Sequence, residues 1–182
     1  MKYKILIVCS ANKGRSASFH AIMQHEIIQK NLPVEIKSAG TGMKYIQEFI
    51  KTGETGAAEW LIDILPKMGY PEILNHKTEF ADEKMANWAD LVLAYNTKIR
   101  NQLKKWYPEY KNKIMTVRGF ITGKEGNLSS EALDVDDAYH PNNKLYRNRM
   151  QPQTHKSFYY VCNESRRLVD AVLKKLVIEK KI

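Results

Sequence analysis

The sequence predicts an α/β fold in three layers, in which a four-stranded parallel sheet carries helices on both faces. Short apolar runs alternate along the chain with stretches whose apolar residues recur at helical spacing. The composition agrees, because 182 residues, 43% hydrophobic and 27% charged, can bury a sizeable core. We find no internal repeat, low-complexity stretch or linker, so a single domain over residues 1–182 is predicted.

The predicted strands are compact apolar runs, and the predicted helices lie between and after them. The strands are Tyr3–Val8, Val34–Lys37, Asp90–Ala94 and Lys113–Val117. The helices are at about Ser16–Lys30, Gly56–Leu65, Asp82–Trp88, Asn96–Trp106 and Lys156–Glu179. The second helix stops near Pro66, because proline lacks the N–H that would continue a helix.

Two segments are predicted to be irregular. Ser38–Gly42 consists of small residues and glycine, which predicts a turn. Residues 118–155 are polar and rich in turn formers, so we expect a long excursion with little regular structure. Loops of that length tend to be functional.

The last helix carries an apolar face that includes one of the two cysteines. Its members are Phe158, Val161, Cys162, Val169, Val172, Leu173 and Leu176. A cysteine within such a face behaves as a small hydrophobic residue. We therefore expect Cys162 to be a core residue and not a catalytic partner.

The chain is basic, with 29 Lys and Arg against 20 Asp and Glu and a formal charge of +9. Such a balance suits nucleic acid, an anionic membrane or an anionic substrate. The basic residues are spread out, and no aromatic-basic repeat or known motif supports nucleic-acid binding. An anionic substrate is the interpretation that remains.

Cysteine content and hydropathy predict the compartment. Two cysteines do not make a disulfide framework. The apolar run after Met1-Lys2-Tyr3-Lys4 is too brief for a signal peptide, and no later segment is long enough to span a membrane. We expect a cytoplasmic protein, where a nucleophilic thiol stays reduced.

The most informative motif is Cys9-Ser10-Ala11-Asn12-Lys13-Gly14-Arg15-Ser16. It follows the first predicted strand and precedes the first helix, so its backbone N–H groups and the helix dipole converge on one point. Arg15 adds a planar fork of donors suited to phosphate. These surroundings favour a thiolate beside an anion cradle, and they predict attack by Cys9 on phosphorus. The simpler alternative is a buried cysteine at a strand end.

Together with other landmarks, this motif resembles the phosphate-binding loop of the low-molecular-weight protein-tyrosine phosphatase family. The pattern in both is Cys, five residues, Arg, Ser, with Asn fourth. Further matches occur in the family's order: Ser38-Ala39-Gly40-Thr41, His76-Lys77, Ala89-Asp90-Leu91-Val92-Leu93 and Val135-Asp136-Asp137-Ala138-Tyr139-His140. They extend from the first strand to the family's acid loop.

The resemblance implies a role for each matching residue. Cys9 would attack phosphorus and form a phosphocysteine, Arg15 would clamp the phosphate oxygens, and Asp137 would act as general acid and then general base. The phosphate-binding loop would comprise Ser10, Ala11, Asn12, Lys13, Gly14 and Ser16. No metal or other cofactor is expected, since no cluster of His, Cys and carboxylate residues has ligand spacing.

Further implied roles concern the supporting network, the acid and the pocket walls. A hydrogen-bond network beneath the loop would use Asn12, Ser16, Ser38 and His76. Asp136 is the alternative acid; Asp137 is preferred because Tyr139 then falls where an aromatic residue flanks the pocket. Tyr45 is expected to form the other wall.

Three departures from the family pattern bear on the substrate. Lys13 occupies a position at the pocket mouth that is usually small or apolar, and we expect it to favour substrates with extra negative charge. The segments 41–55 and 141–155 look like extra loops that flank the active-site mouth as a lid or a docking surface. They leave the preference for phosphotyrosine open.

The sequence therefore predicts a cysteine-dependent phosphomonoester hydrolase whose substrate is a phosphorylated protein, with phosphotyrosine expected, or a small phosphomonoester. We expect a monomer or weak dimer that binds neither nucleic acid nor a membrane. Two alternatives remain. An arsenate reductase on the same fold would need further cysteines, and the chain has only Cys162 besides Cys9. A weakly catalytic phosphate-binding module would not need Cys9, Arg15 and an acid together.

Overall fold

The structure, a computed structural model, describes residues 1–54, 56–135 and 155–182 and contains the predicted four-stranded parallel sheet. Its strands are Tyr3–Cys9 (β1), Val34–Gly40 (β2), Leu91–Ala94 (β3) and Ile114–Thr116 (β4). They lie in the order β2-β1-β3-β4, and every pair is parallel. The order reverses at β1, so the carboxyl end of this strand is the place where open α/β sheets bind ligands.

Helices cover both faces of the sheet. They are Arg15–Lys30 (α1), Met43–Thr52 (α2), Glu59–Ile64 (α3), Glu83–Trp88 (α4), Thr97–Trp106 (α5), Val117–Thr122 (α6), Ser130–Leu133 (α7) and His155–Ile178 (α8). The connection through α1 runs outward from β1 to β2, whereas the connection through α5 runs the opposite way from β3 to β4. Because both crossovers are right-handed, α1 and α5 lie on opposite faces. The fold prediction is confirmed.

The core is centred on β1. Ile5, Leu6, Ile7 and Val8 are each at most 1% exposed, as expected for a central parallel strand covered on both faces. All the residues predicted to form the apolar face of α8 are buried. Burial raises the pKa of Cys162 to about 12, so its thiol stays protonated. The expectation that Cys162 is a core residue is confirmed.

The predicted turn at 38–42 is wrong in its first half. Ser38 to Gly40 continue β2, and Cys9 pairs with Gly40 at the end of the ladder with β1. Small residues are required here because the phosphate-loop motif passes directly overhead. A Cβ on Gly40 would lie 2.5 Å from the Ser10 carbonyl oxygen and 3.0 Å from the Asn12 nitrogen.

The expectation of little regular structure after residue 118 is also wrong for the described part. Val117, placed by prediction in the last strand, instead begins α6, and α7 follows at Ser130–Leu133. Each helix has an N-cap residue, Thr116 for α6 and Ser129 for α7, whose side-chain hydroxyl accepts a backbone N–H of the first turn. Residues 136–154, which include the predicted insertion up to its last residue, lie outside the described residues.

The segment 41–55 contains a helix where an extra loop was expected. Met43–Thr52 forms α2, and Gly53 ends it with a left-handed φ of 76°. Only Ile46 among its ten residues is buried. The helix is thus attached along one narrow edge, with Ile46 lying against Gly40.

No helix in the described parts of the chain combines the length and the apolar character that crossing a bilayer requires.

We predict that Gly40→Ala destabilises the fold by about 1–3 kcal/mol, because its methyl group collides with backbone atoms that cannot move aside separately. Gly126→Ala is the matched control, since a Cβ there meets nothing within 4 Å. Urea denaturation of both variants measures the difference. Equal midpoints for the two would contradict the close approach at Gly40.

Candidate active site

The motif Cys9–Ser16 forms a tight loop between β1 and α1, and a cavity opens over it. Cys9 is the last residue of β1, and Arg15 is the first of α1. Asn12 adopts a left-handed φ of 55°, which asparagine tolerates better than most residues. The cavity measures about 320 Å³ and is lined by Cys9, Ser10, Ala11, Lys13, Gly14, Arg15, Phe49 and Ala58.

The Cys9 thiol lies at the cavity with hydrogen-bonding groups around it. Its Sγ is 3.0 Å from the Ser16 hydroxyl oxygen and accepts the Asn12 backbone N–H at 3.3 Å. The residue is 3% exposed, yet it lines the cavity. The Asn12 N–H and the Ser16 hydroxyl are in place to bind a thiolate, which is the nucleophilic form of cysteine.

Arg15 brings a buried guanidinium to the same cavity. It is 6% exposed, and its Nη1 donates to the Val135 carbonyl at 3.1 Å. The guanidinium carbon also lies 5.5 Å from the centre of the buried Tyr95 ring. These contacts hold the planar fork in one orientation, which suits bidentate binding of an oxyanion.

Asn12 is the centre of the network beneath the loop. Its side-chain amide donates to Ser16 Oγ at 2.9 Å, and its Oδ1 accepts the Glu79 backbone N–H at 2.8 Å. His76 Nε2 donates to the Asn12 backbone carbonyl at 2.6 Å. The residue is completely buried, and these bonds compensate its desolvation while fixing the left-handed turn.

Ser38 joins the network indirectly, through a histidine that sequence reasoning missed. Its hydroxyl lies 3.1 Å from His20 Nδ1, and the His20 ring meets the His76 ring edge-on at 6.3 Å. Burial, and secondarily the neighbouring His76, lowers the pKa of His20 to about 4. Burial also lowers the pKa of His76. Both rings are therefore neutral at pH 7, and no second cation stands behind the loop at this point.

The aromatic wall of the cavity comes from Phe49 and not from Tyr45. Tyr45 is 63% exposed, so the expectation for this residue is wrong. The reason is the helical phase of α2: Ile46 faces inward, and the preceding residue points about 100° away from it, toward solvent. Phe49, one turn after Ile46, is brought to the cavity instead.

Lys13 lines the cavity while its ammonium is directed at the segment after α2. Nζ donates to the Glu54 backbone carbonyl at 2.9 Å and lies 3.6 Å from the Glu54 carboxylate. It also lies 4.1 Å from the centre of the Phe49 ring. The predicted attraction of acidic substrates by Lys13 stays a prediction.

The predicted acid and the second wall cannot be located, because Asp136, Asp137 and Tyr139 lie outside the described residues. The last described residue before them, Val135, accepts the bond from Arg15 and donates its own N–H to the Tyr95 carbonyl at 2.9 Å. The last described residue before Asp136 is therefore in contact with the Arg15 guanidinium.

Three contributors to the site escaped sequence reasoning: His20, Phe49 and Tyr95. His20 and Phe49 lie in helices whose periodicity indicates only burial or exposure, Tyr95 directly follows β3, and no local motif marks any of them. Across the described ranges 1–54, 56–135 and 155–182, no three His, Cys, Asp or Glu side chains are grouped so that they could hold a metal ion.

Two named relatives are protein-arginine-phosphatases. The one from Geobacillus stearothermophilus is 28% identical over 130 residues, which cover 71% of this chain and 78% of that protein. The one from Bacillus subtilis (strain 168) is 24% identical over 124 residues, covering 68% and 76%.

Solved structures share the fold. A low molecular weight protein tyrosine phosphatase from T. tengcongensis has a TM-score of 0.71 at 24% identity, with 96% of this chain and 100% of that chain covered. A phosphatase of the same description from Bacillus subtilis has a TM-score of 0.72 at 21% identity, with 97% and 99% covered. The family model described as low molecular weight phosphotyrosine protein phosphatase matches residues 4–175, and the chain belongs to that family.

Proposed function

We propose that the protein hydrolyses phosphomonoesters on phosphorylated proteins, phosphotyrosine above all, through a phosphocysteine intermediate and without a metal. The observation that carries the proposal is the position of Cys9 Sγ. The sulfur lines the cavity, accepts the Asn12 backbone N–H, lies 3.0 Å from the Ser16 hydroxyl oxygen and shares that cavity with the buried guanidinium of Arg15. A nucleophile and an oxyanion clamp in one cavity are what phosphoryl transfer requires.

In the first step, the Cys9 thiolate attacks phosphorus. The S–P bond forms while the bond from phosphorus to the ester oxygen breaks, and the leaving oxygen takes the proton of Asp137. Arg15 and the loop N–H groups bind the equatorial oxygens, where charge accumulates in the transition state. Proton transfer of this kind contributes about 10²–10⁴-fold.

In the second step, water attacks the phosphocysteine. The Asp137 carboxylate takes a proton from the water as the new P–O bond forms and the S–P bond breaks. Inorganic phosphate leaves, and the returning thiolate again receives the Ser16 hydroxyl at 3.0 Å. That bond stabilises sulfur as a leaving group, so Ser16 assists the second step of the cycle.

The preference for phosphotyrosine rests on the apolar side of the cavity. Phe49 and Ala58 line it beside the loop, and a phenyl ring gains from stacking on an aromatic wall. Phosphoarginine is the competing substrate, because the two named relatives are protein-arginine-phosphatases. Its guanidinium leaving group would meet the ammonium of Lys13 at the same wall.

Arsenate reduction is the less favoured chemistry. It needs a thiol that can reach the Cys9 sulfur, and Cys162, the other cysteine of the sequence, is fully buried in the core. A binding module without catalysis would gain nothing from the Ser16 contact to sulfur. We propose that the protein works in the reducing cytoplasm, because its nucleophilic cysteine must not be oxidised.

We predict that Cys9→Ser lowers hydrolysis of p-nitrophenyl phosphate by roughly 10³-fold or more, because the alkoxide is far less available than the thiolate. EDTA leaves the wild-type rate unchanged, and vanadate inhibits it. Cys162→Ala is the matched control and retains activity. Turnover that needs Mg²⁺ and survives Cys9→Ser would contradict the proposed mechanism.

The acid is identified by comparing Asp137→Asn with Asp136→Asn. We expect Asp137→Asn to reduce kcat/KM, which reports the first step, by about 10²–10⁴-fold on phenyl phosphate, whose leaving group needs a proton, and much less on p-nitrophenyl phosphate. Asp136→Asn supplies the control on the adjacent residue. The pH–rate profiles of both variants are recorded. If only Asp136→Asn lowers turnover of phenyl phosphate, Asp136 and not Asp137 is the general acid.

Substrate preference is measured with two peptides that differ only in carrying phosphotyrosine or phosphoarginine. We predict a kcat/KM at least about tenfold higher for phosphotyrosine, a difference of roughly 1.4 kcal/mol in transition-state binding. Phosphate release at pH 7.5 is the readout. A preference for phosphoarginine would contradict the proposed substrate but not the proposed phosphatase activity.

A further inference from the structure

The helix α2 and its flanking residues begin and end on the phosphate-binding loop. At the start, the Gly42 N–H donates to the Ser10 carbonyl at 2.8 Å. At the end, the Ala58 N–H donates to the Lys13 carbonyl at 2.9 Å. The segment between them is therefore bracketed by two residues of the loop that surrounds Cys9.

Within this bracket, the side chain of Lys13 makes the contact that reaches the cavity wall. Its ammonium donates to the Glu54 carbonyl, lies near the Glu54 carboxylate and covers the face of Phe49 at 4.1 Å. The Lys13 side chain is only 18% exposed, whereas that of Glu54 is 66% exposed. The positive charge of Lys13 is thus enclosed by this segment, and its contacts are made with Glu54 and Phe49.

The helix that carries Phe49 is attached through a single buried side chain. Ile46 is the one fully buried residue of α2, and it is three residues before Phe49. A helix held by one buried side chain can pivot about it, so the ring of Phe49 needs a second tie. The Lys13 ammonium supplies that tie from the phosphate-binding loop itself.

We propose that Lys13 is a positioning residue: its ammonium holds Phe49 as the wall of the cavity and so sets the preference for an aromatic leaving group. It acts through Phe49 and Glu54 and not by binding the phosphate. The inference deepens the proposed function and rests on it. It also assigns a substrate-selecting role to the segment that departs from the family pattern.

The test is a double-mutant cycle with Lys13→Met, Phe49→Leu and the double variant. Methionine keeps the apolar stem and removes the charge, and leucine keeps apolar volume and removes the ring. KM for p-nitrophenyl phosphate reports on the wall, whereas the inhibition constant of inorganic phosphate reports on the loop alone. Lys13→Arg tests rescue by a retained cation, and Lys51→Met on the exposed side of α2 is the control.

We expect each single variant to raise KM about three- to tenfold, the range of a partly desolvated cation–π contact. The double variant should be no worse than the more affected single variant, because both remove one interaction. The inhibition constant of phosphate should change less than about twofold in all of them. Lys13→Arg and Lys51→Met should behave as wild type. Glu54→Gln offers an independent perturbation outside the loop and should raise KM by about twofold with phosphate inhibition unchanged.

Multiplicative effects in the double variant, or a rise in the phosphate inhibition constant equal to the rise in KM, would contradict the positioning role in an active enzyme. Failure of Arg at position 13 to restore KM would do so as well. A wild-type protein with no Cys9-dependent hydrolysis would instead contradict the proposed function and, with it, this inference. Thermal denaturation of every variant separates a change in the wall from a loss of fold.

Discussion

The left-handed turn at Asn12 is the constraint on which the site depends. A buried residue with φ of 55° persists only if its polar groups are compensated, and Asn12 bonds to Ser16, to the Glu79 N–H and, through its carbonyl, to His76. This left-handed turn also directs the Asn12 backbone N–H at Cys9 Sγ. Support from three separate parts of the chain therefore converges on one sulfur atom, and the loop is organised before any phosphate arrives.

Neutral groups support the loop from below while a cation faces the cavity. The pKa of His20 and of His76 is lowered by burial, so the histidines act as oriented hydrogen-bonding groups. Arg15 brings positive charge to the cavity side, whereas the ammonium of Lys13 is bound by Glu54. This separation attracts a phosphate toward the cavity side of the loop. The effect is local and does not depend on the formal net charge of +9 of the whole chain.

Sequence periodicity correctly predicted the strands and helices whose pattern of burial is regular along their length. The run Ile5-Leu6-Ile7-Val8 is buried on both faces, and the apolar stripe of the last helix packs as its spacing indicated. Prediction failed at Ser38–Gly40, at Val117 and over residues 43–52. In each of these places a short segment was decided by a contact outside it: the pairing with the end of β1, the Thr116 cap or the contact of Ile46 with Gly40.

The residue pattern was enough to predict the four strands, the helices α1, α3, α4, α5 and α8, the loop that joins Cys9 to Arg15 and most residues of its network. These depend on local spacing, which a single chain displays directly. Only the tertiary structure decided that Phe49 and not Tyr45 lines the cavity, that His20 links Ser38 to His76, and that the ammonium of Lys13 is enclosed by Glu54. The physical reason is that a helix can present any of its faces, and the contacts that select one face join residues tens of positions apart.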